Sequence, residues 1–282
     1  EIEIGARITT GAWLELTKES LAQYGIKPFL RQIVIGTIVF SPLMAIVGGT
    51  LTFLVASIFK SKPAPDSFEA TVDRVAERYA NGSKFTRGYV TSKMSGDPVV
   101  RAIFDRAKAE PFGRTLDVGC GRGQLALLLL ESKGASRITG FDWDAAKVAE
   151  ATKAAGSLEG RFFEGDLRSA PLEECDTALL VDVLHYLTSE EQDAVLARVA
   201  KVTTKRIYVR DLDPDRGWRS SVTRLQERVT TRLGVNRGAR VLVRPIADMR
   251  RVLEASGFDV DVVPCWKGTP FANVLVTATK RS

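Results

Sequence analysis

Apolar and polar positions sort this chain into two regimes. From Gln32 to Phe59 there is no charged residue. As a helix that run would measure about 42 Å, longer than a hydrocarbon core of about 30 Å. The pattern predicts a tilted or kinked transmembrane segment, with Ser41-Pro42 and Gly48-Gly49 as kink points. The same breaks allow a re-entrant hairpin, and a buried soluble helix is the plainer alternative. The run is too long and too far along the chain for a cleaved leader. Before it, residues 1–31 form a juxtamembrane segment in which Trp13, Tyr24 and Phe29 interleave with Lys18, Lys27 and Arg31. Gly25 and Pro28 are expected to interrupt any helix there. After it, residues 60–67, with Lys62-Pro-Ala-Pro-Asp66, read as a linker to a domain at 68–282.

Within that domain the period changes back and forth. Phe68, Val72, Val75 and Tyr79 share a helical face that ends at Asn81-Gly82. Phe85 to Met94 carries aromatics among basic residues. Asp97-Pro98 has the form of a cap followed by a first-turn proline, and Val99, Ile103, Phe104 and Ala107 give the apolar face behind it. Strands are predicted at Arg114–Val118, Arg137–Asp142, Arg161–Glu164, Asp176–Val183 and Arg206–Arg210, then at Asp259–Pro264 and Val274–Thr279. Between them fall helices at Asp144–Lys153, Ser189–Lys201 (capped by Ser189) and Ile246–Ala255, with a basic helical stretch from Arg219. This alternation predicts an α/β fold: an open, mostly parallel sheet with helices on both faces.

Charge and cysteine content add two constraints. The net charge is +6 over 282 residues. Arg210 to Arg251 alone holds eleven Arg against five acids, the same surplus. Trp218 to Gly234 forms a basic amphipathic pattern, with Val222, Leu225, Val229 and Leu233 on one face and Arg224, Arg228 and Arg232 on another. A lid, a membrane-surface helix, a phosphate-binding face and a plain solvated face all fit it. Cys120, Cys175 and Cys265 lie far apart, without disulfide or zinc spacing, which suits a reducing compartment. Lys60 and Lys62 at the end of the apolar run favour the cytoplasmic side, although Lys27 and Arg31 make the other flank basic too.

Ligands of parallel sheets sit at the carboxyl ends of the strands, and this chain places reactive side chains there. Leu116-Asp-Val-Gly-Cys-Gly-Arg-Gly123 precedes the apolar run Leu125–Leu130 and reads as strand, glycine turn, helix. Alternate glycines let a backbone turn sharply and approach a ligand, and the next helix aims free N–H groups at the turn. The spacing is G-x-G-x-G, not the dinucleotide G-x-G-x-x-G. Asp142, about twenty residues on, stands where a carboxylate accepts from a ribose diol. Asp144 reads as a helix cap. Asp166 ends the third strand, as a turn residue or a ligand contact. His185, the only histidine, follows the fourth strand in Val181-Asp-Val-Leu-His-Tyr-Leu187; it is a proton acceptor, or a residue that shapes the pocket or caps a helix. Tyr186 beside it is equally a pocket wall. Asp211, with Asp213, ends the fifth strand, where it can hold or deprotonate a substrate or simply open a helix before Pro214. The turn Lys267–Asn273 returns to the same edge, so Phe271 and Asn273 are candidates for an acceptor pocket.

Asp117-x-Gly119-x-Gly121-x-Gly123, with Asp117, Asp142 and Asp166 at three successive strand ends, resembles the class I S-adenosylmethionine (SAM)-dependent methyltransferases over about residues 68–280. That resemblance implies a Rossmann-like seven-strand sheet whose last strand is antiparallel, and SAM as cofactor. It implies a turn of Asp117, Gly119, Cys120, Gly121 and Gly123 at the methionine end. Asp142 and Trp143 would lie at the ribose, Asp166 at the adenine amino group, Leu167 on the ring and Asp182 at the cofactor edge. His185 would line the methyl-transfer cleft, and His185 and Asp211 are the candidate catalytic residues. More narrowly, Arg87-Gly-Tyr-Val, Lys93-Met-Ser-Gly-Asp-Pro98, Asp182–Tyr186, Gly217-Trp-Arg219 and Gly268–Asn273 are similar to a bacterial group associated with lipid-like or aryl-polyene-type products. The run at 32–59 is not part of the general methyltransferase pattern. The expectation is SAM-dependent methyl transfer by direct in-line displacement to a small lipophilic or membrane-associated acceptor, with no metal. The domain is expected on the cytoplasmic side of the bacterial inner membrane, where SAM is found. RNA methylation is the alternative, against which stands the lack of an aromatic-rich nucleic-acid motif or an RNA-binding module. A non-catalytic, SAM-binding, membrane-tethered subunit is a third reading.

Overall fold

The computed structural model describes residues 1–13, 17, 26–58, 64–80, 82–214 and 242–281. The chain divides into two compact units, Glu1–Lys62 and Pro63–Ser282. The basic stretch at 218–234, and with it most of the arginine surplus, lies outside the described residues.

The first unit holds α1 (Ile2–Thr10) and α2 (Ile26–Ile58). Pro28 does not interrupt a helix, contrary to the expectation from the sequence, and Gly25 lies outside the described residues. Helix α1 forms and closes at Gly11 in the left-handed conformation, φ 76°. Pro28 falls in the first turn of α2, where a missing N–H loses no hydrogen bond. Helix α2 runs 33 residues straight through Pro42 and Gly48-Gly49, so the backbone adopts no hairpin. Its Lys27–Phe53 part is long and apolar enough to cross a membrane.

The second unit is built on seven strands: β1 (Arg114–Val118), β2 (Arg137–Asp142), β3 (Gly160–Glu164), β4 (Cys175–Val181), β5 (Thr203–Leu212), β6 (Phe258–Pro264) and β7 (Asn273–Lys280). They lie in the order β3-β2-β1-β4-β5-β7-β6. Pairing is parallel from β3 through β5, and β7 runs antiparallel to both β5 and β6. Its helices are α3 (Phe68–Arg78), α4 (Lys84–Gly96), α5 (Pro98–Ala109), α6 (Gln124–Glu131), α7 (Ala145–Ala155), α8 (Ser189–Val202) and α9 (Ile246–Ala255).

Alternation along the strands feeds two cores. Leu179, Tyr208 and Leu275 point to the face covered by α3–α7, where Val72, Ile103 and Leu125–Leu130 pack. Leu116, Val118, Leu180, Ile207 and Val209 point to the other, covered by α8 and α9 through Val195, Leu196, Met249 and Leu253. Two details differ from the sequence reading. Helix α8 is capped by Thr188 rather than Ser189, because Glu191 completes a capping box with it: Glu191 N–H donates to Thr188 Oγ1 at 3.3 Å and Thr188 N–H to Glu191 Oε2 at 2.8 Å. Phe85–Met94 belongs to α4, capped by Ser83, whose hydroxyl accepts from Thr86 N–H at 3.0 Å.

Candidate active site

The β1 register sets Asp117 opposite Gly140 of β2 and Leu179 of β4, in the middle of the sheet at its carboxyl edge. The glycine turn follows at once. Gly119 and Gly123 are packing glycines: a Cβ on the first would strike Val183, and one on the second would lie 2.9 Å from the Ala151 Cβ. Gly121 differs. Its φ is 55° and nothing lies within 4 Å of its missing Cβ, so it leaves an open cradle over the turn. Gly123 caps α6, whose first N–H groups face that cradle.

Asp142, at the end of β2, is buried and held in place by the turn. Its Oδ2 accepts from Gly121 N–H at 2.9 Å and its Oδ1 from Asp144 N–H at 3.0 Å. Each carboxylate oxygen keeps a second lone pair. Asp144 caps α7, accepting from Ala146 and Lys147 N–H at 3.1 and 3.3 Å. Trp143 is 60% exposed beside this pair. Burial pushes the Asp117 carboxyl up to about 7, with the neighbouring Asp142 charge adding to it. Burial likewise raises the Cys120 thiol, so Cys120 acts as an apolar wall of the turn. Asp166 forms a local turn: Oδ1 accepts from Arg168 N–H at 2.7 Å and Oδ2 pairs with the Arg168 guanidinium at 2.9 Å. Leu167 next to it is half-buried.

Chain segments distant in sequence secure the turn from outside. Tyr79, the C-cap of α3, donates its hydroxyl to the Arg122 carbonyl at 2.5 Å. The Arg122 side chain pairs with Glu150 of α7 at 2.7 Å and lies over the Tyr89 ring of α4, 5.5 Å from its centre.

At the ends of β4 and β5 two charged groups form on opposite faces of the sheet. On the α8 side, His185 Nδ1 lies 3.3 Å from Asp211 Oδ1, both buried. Asp211 Oδ1 also accepts from Leu212 N–H at 2.8 Å. The His185 carbonyl accepts from Leu242 N–H at 2.7 Å, and Gln192 Nε2 donates to the carbonyls of Leu187 and Leu242 at 3.1 and 3.3 Å. The histidine turn is thereby clamped on both sides. On the other face, Lys93 bridges Asp97 at 2.7 Å and Asp182 at 3.0 Å, while Arg210 pairs with Asp182 and lies 3.7 Å from Asp97. Burial would push Asp97 up, but Arg210 and Lys93 hold its carboxyl below the usual range. Asp182 takes φ 61°, a left-handed value uncommon outside glycine that Asp adopts more readily than most residues.

The structure therefore brings together the strand-end residues named from the sequence: Asp117, Gly119, Cys120, Gly121, Gly123 and Asp142 at one turn, and His185 with Asp211 beyond it. Asp213 and Asn273 are buried nearby, where Asp213 N–H donates to the Ala272 carbonyl at 2.9 Å. Lys93 and Asp97 are not singled out with Arg210 from the sequence, since no local pattern joins positions more than a hundred residues apart. A groove of about 280 Å³ between Arg114, Arg137 and Glu173 lies at the opposite edge of the sheet. Its charged side chains are already paired, Arg114 with Glu174, Arg137 with Glu159 and Glu173 with Arg161.

Comparison with known proteins is consistent with this frame. Residues 115–206 match the family described as Methyltransferase domain. No curated protein sequence matches. Among solved structures, magnesium protoporphyrin IX methyltransferase from Synechocystis PCC 6803 with bound SAH superposes with TM-score 0.54 at 21% identity, over 74% of this chain and 93% of that one. An O-methyltransferase family protein from Burkholderia thailandensis gives 0.55 at 19% identity, over 88% and 72%. Mitomycin 7-O-methyltransferase gives 0.52 at 21%, over 73% and 60%. Residues 115–206 thus carry a methyltransferase domain, and the glycine turn and the seven-strand order are those of the class I SAM-dependent methyltransferase fold.

Proposed function

We propose that this protein transfers a methyl group from SAM to a small lipophilic or membrane-associated acceptor, through a base formed by His185 and Asp211. The observation that carries the reading is that pair, 3.3 Å apart at the strand edge that also bears the Asp117–Gly123 turn and Asp142. The residues fit SAM. The open cradle at Gly121 and the α6 N-terminus suit its carboxylate, buried Asp117 suits its ammonium, and the fixed carboxylate of Asp142 suits its ribose hydroxyls. Trp143 and Leu167 offer apolar surface for the adenine beside Asp166. When bound, SAM supplies a methyl already activated by its sulfonium.

The chain's own work is then geometry and proton removal. Asp211 accepts from the Nδ1–H of His185, which leaves the Nε2 lone pair to take the acceptor's proton. Gln192 and Leu242 fix the turn that carries the ring. Lys93, Asp97, Asp182 and Arg210 hold α4 and α5 against the opposite face of the same edge. The apolar exposed length of α2 supports an acceptor that resides in or on a bilayer.

The test compares wild type, His185→Gln and Asp211→Asn for production of S-adenosylhomocysteine in the presence of host membranes. Both variants should bind SAM as wild type does while turnover falls by about 10²-fold or more, the usual scale for loss of a general base. Wild-type turnover in His185→Gln would remove the base from the mechanism.

A further inference from the structure

Helix α1 packs antiparallel along the first turns of α2. Glu1 sits beside Gly36, and a Cβ on Gly36 would run into its backbone; Gly5 meets the Gln32 carbonyl in the same way. Thr9 donates to Gln32 Oε1 at 2.8 Å and Thr37 donates to Glu1 Oε2 at 3.0 Å. Gln32, only 5% exposed, is covered by this contact. The outer face of α1 is mostly polar: Glu1, Glu3, Arg7 and Thr10 are exposed, with Ile8 beside them. The surroundings of α2 change just past Thr37. Ile38 is 66% exposed, and every residue from Ser41 to Phe53 is exposed although most are apolar.

A helix apolar all round and uncovered suits a lipid surround. A bilayer that began at Lys27, where the apolar window opens, would take the docked carboxylates and Arg7 into hydrocarbon. One that begins at Ile38 avoids this. Ile38–Ile58 is the remainder of α2, about 21 residues, which at helical rise is about 31 Å and matches a hydrocarbon core of about 30 Å. We infer that Ile38–Ile58 is the lipid-crossing part of α2 and that α1, packed over Gln32–Thr37, fixes where the bilayer begins. This rests on the proposal that α2 enters a membrane.

The test uses the full-length protein in phosphatidylethanolamine/phosphatidylglycerol vesicles, with single cysteines at Val34, Val47 or Val55. A charged maleimide is loaded on both sides by freeze–thaw. The native Cys120, Cys175 and Cys265 are buried, and the unmodified chain serves as the blank. Val34→Cys should react, and Val47→Cys and Val55→Cys should be protected at least tenfold relative to SDS-unfolded protein. A reactive Val47→Cys would overturn membrane insertion itself. A protected Val47→Cys together with a protected Val34→Cys or a reactive Val55→Cys would leave insertion standing and overturn the boundary at Ile38. Gly36→Leu, which cannot accept Glu1, should release α1 and shift protection toward Val34. An unchanged pattern in that variant would overturn the role of α1.

Discussion

Replacing Asp117 by Asn should stabilise the protein, and by an amount that depends on pH. Asp117 is 3% exposed in the centre of the sheet and faces a second carboxylate, Asp142, so burial and then like charge raise its pKa from 3.8 to about 7. The folded state keeps this proton between about pH 4 and 7, while the unfolded state has lost it. The unfolded state thus binds fewer protons, and stability contributed by this group is full below about pH 4. It falls as pH rises to about 7 and is flat beyond. A shift of about three units at 1.36 kcal/mol each makes the loss roughly 4 kcal/mol. Asparagine has the same shape and no charge to bury. Urea unfolding of both proteins, followed by tryptophan fluorescence at several values from pH 4.5 to 8, reads the difference directly. It should be small at pH 4.5 and reach several kcal/mol in favour of Asn at pH 8. A difference that does not change with pH, or a wild type more stable than the variant at pH 8, would show that burial does not hold the Asp117 proton. The same variant should bind SAM at least tenfold more weakly, since the ammonium loses its counter-charge, which would separate stability from function at one residue.

Asp142→Ala should abolish SAM binding in calorimetry, because it frees Gly121 and Asp144 N–H and removes the ribose acceptor together; affinity within threefold of wild type would sink the assignment. Tyr79→Phe deletes the 2.5 Å bond to the glycine turn and should cost about 1 kcal/mol in thermal unfolding. An unchanged transition would show that the contact contributes nothing net. Thr188→Ala should cost about 1 kcal/mol by the same measurement whereas Ser189→Ala should cost a few tenths, since only Thr188 closes the capping box. Equal losses would move the cap back to Ser189.

Local pattern carried β1, β2 and α9 to their observed bounds, because alternation, a glycine turn and a Ser-Gly end are all written in adjacent residues. The neighbourhood of His185 and Asp211 was legible by a different route. Both close parallel strands, and β4 and β5 are adjacent in the sheet, so their ends meet. Longer-range features had no local signal. Lys93 reaches Asp182 across 89 positions, and Tyr79 reaches Arg122 across 43. The place of helix α1 is set by close backbone approach at Gly5 and Gly36, which depends on α2 being there. Thr188 and Ser189 are both good caps in isolation, with Glu191 and Gln192 three residues after each; Gln192 is buried with its amide on the Leu187 and Leu242 carbonyls, and Glu191 closes the box with Thr188. The left-handed Asp182 was hidden too, since nothing in Val-Asp-Val marks a positive φ.

Methyl transfer to a lipophilic acceptor is followed by tracking the labelled methyl group. Host membranes and cytosol are incubated with full-length protein and methyl-labelled SAM, with Asp142→Ala as control, and the products are separated into organic, RNA, protein and water-soluble fractions. Label should appear in the organic fraction of the membrane incubation and be absent from the control. Label confined to RNA, to protein or to water-soluble products would contradict transfer to a lipophilic acceptor.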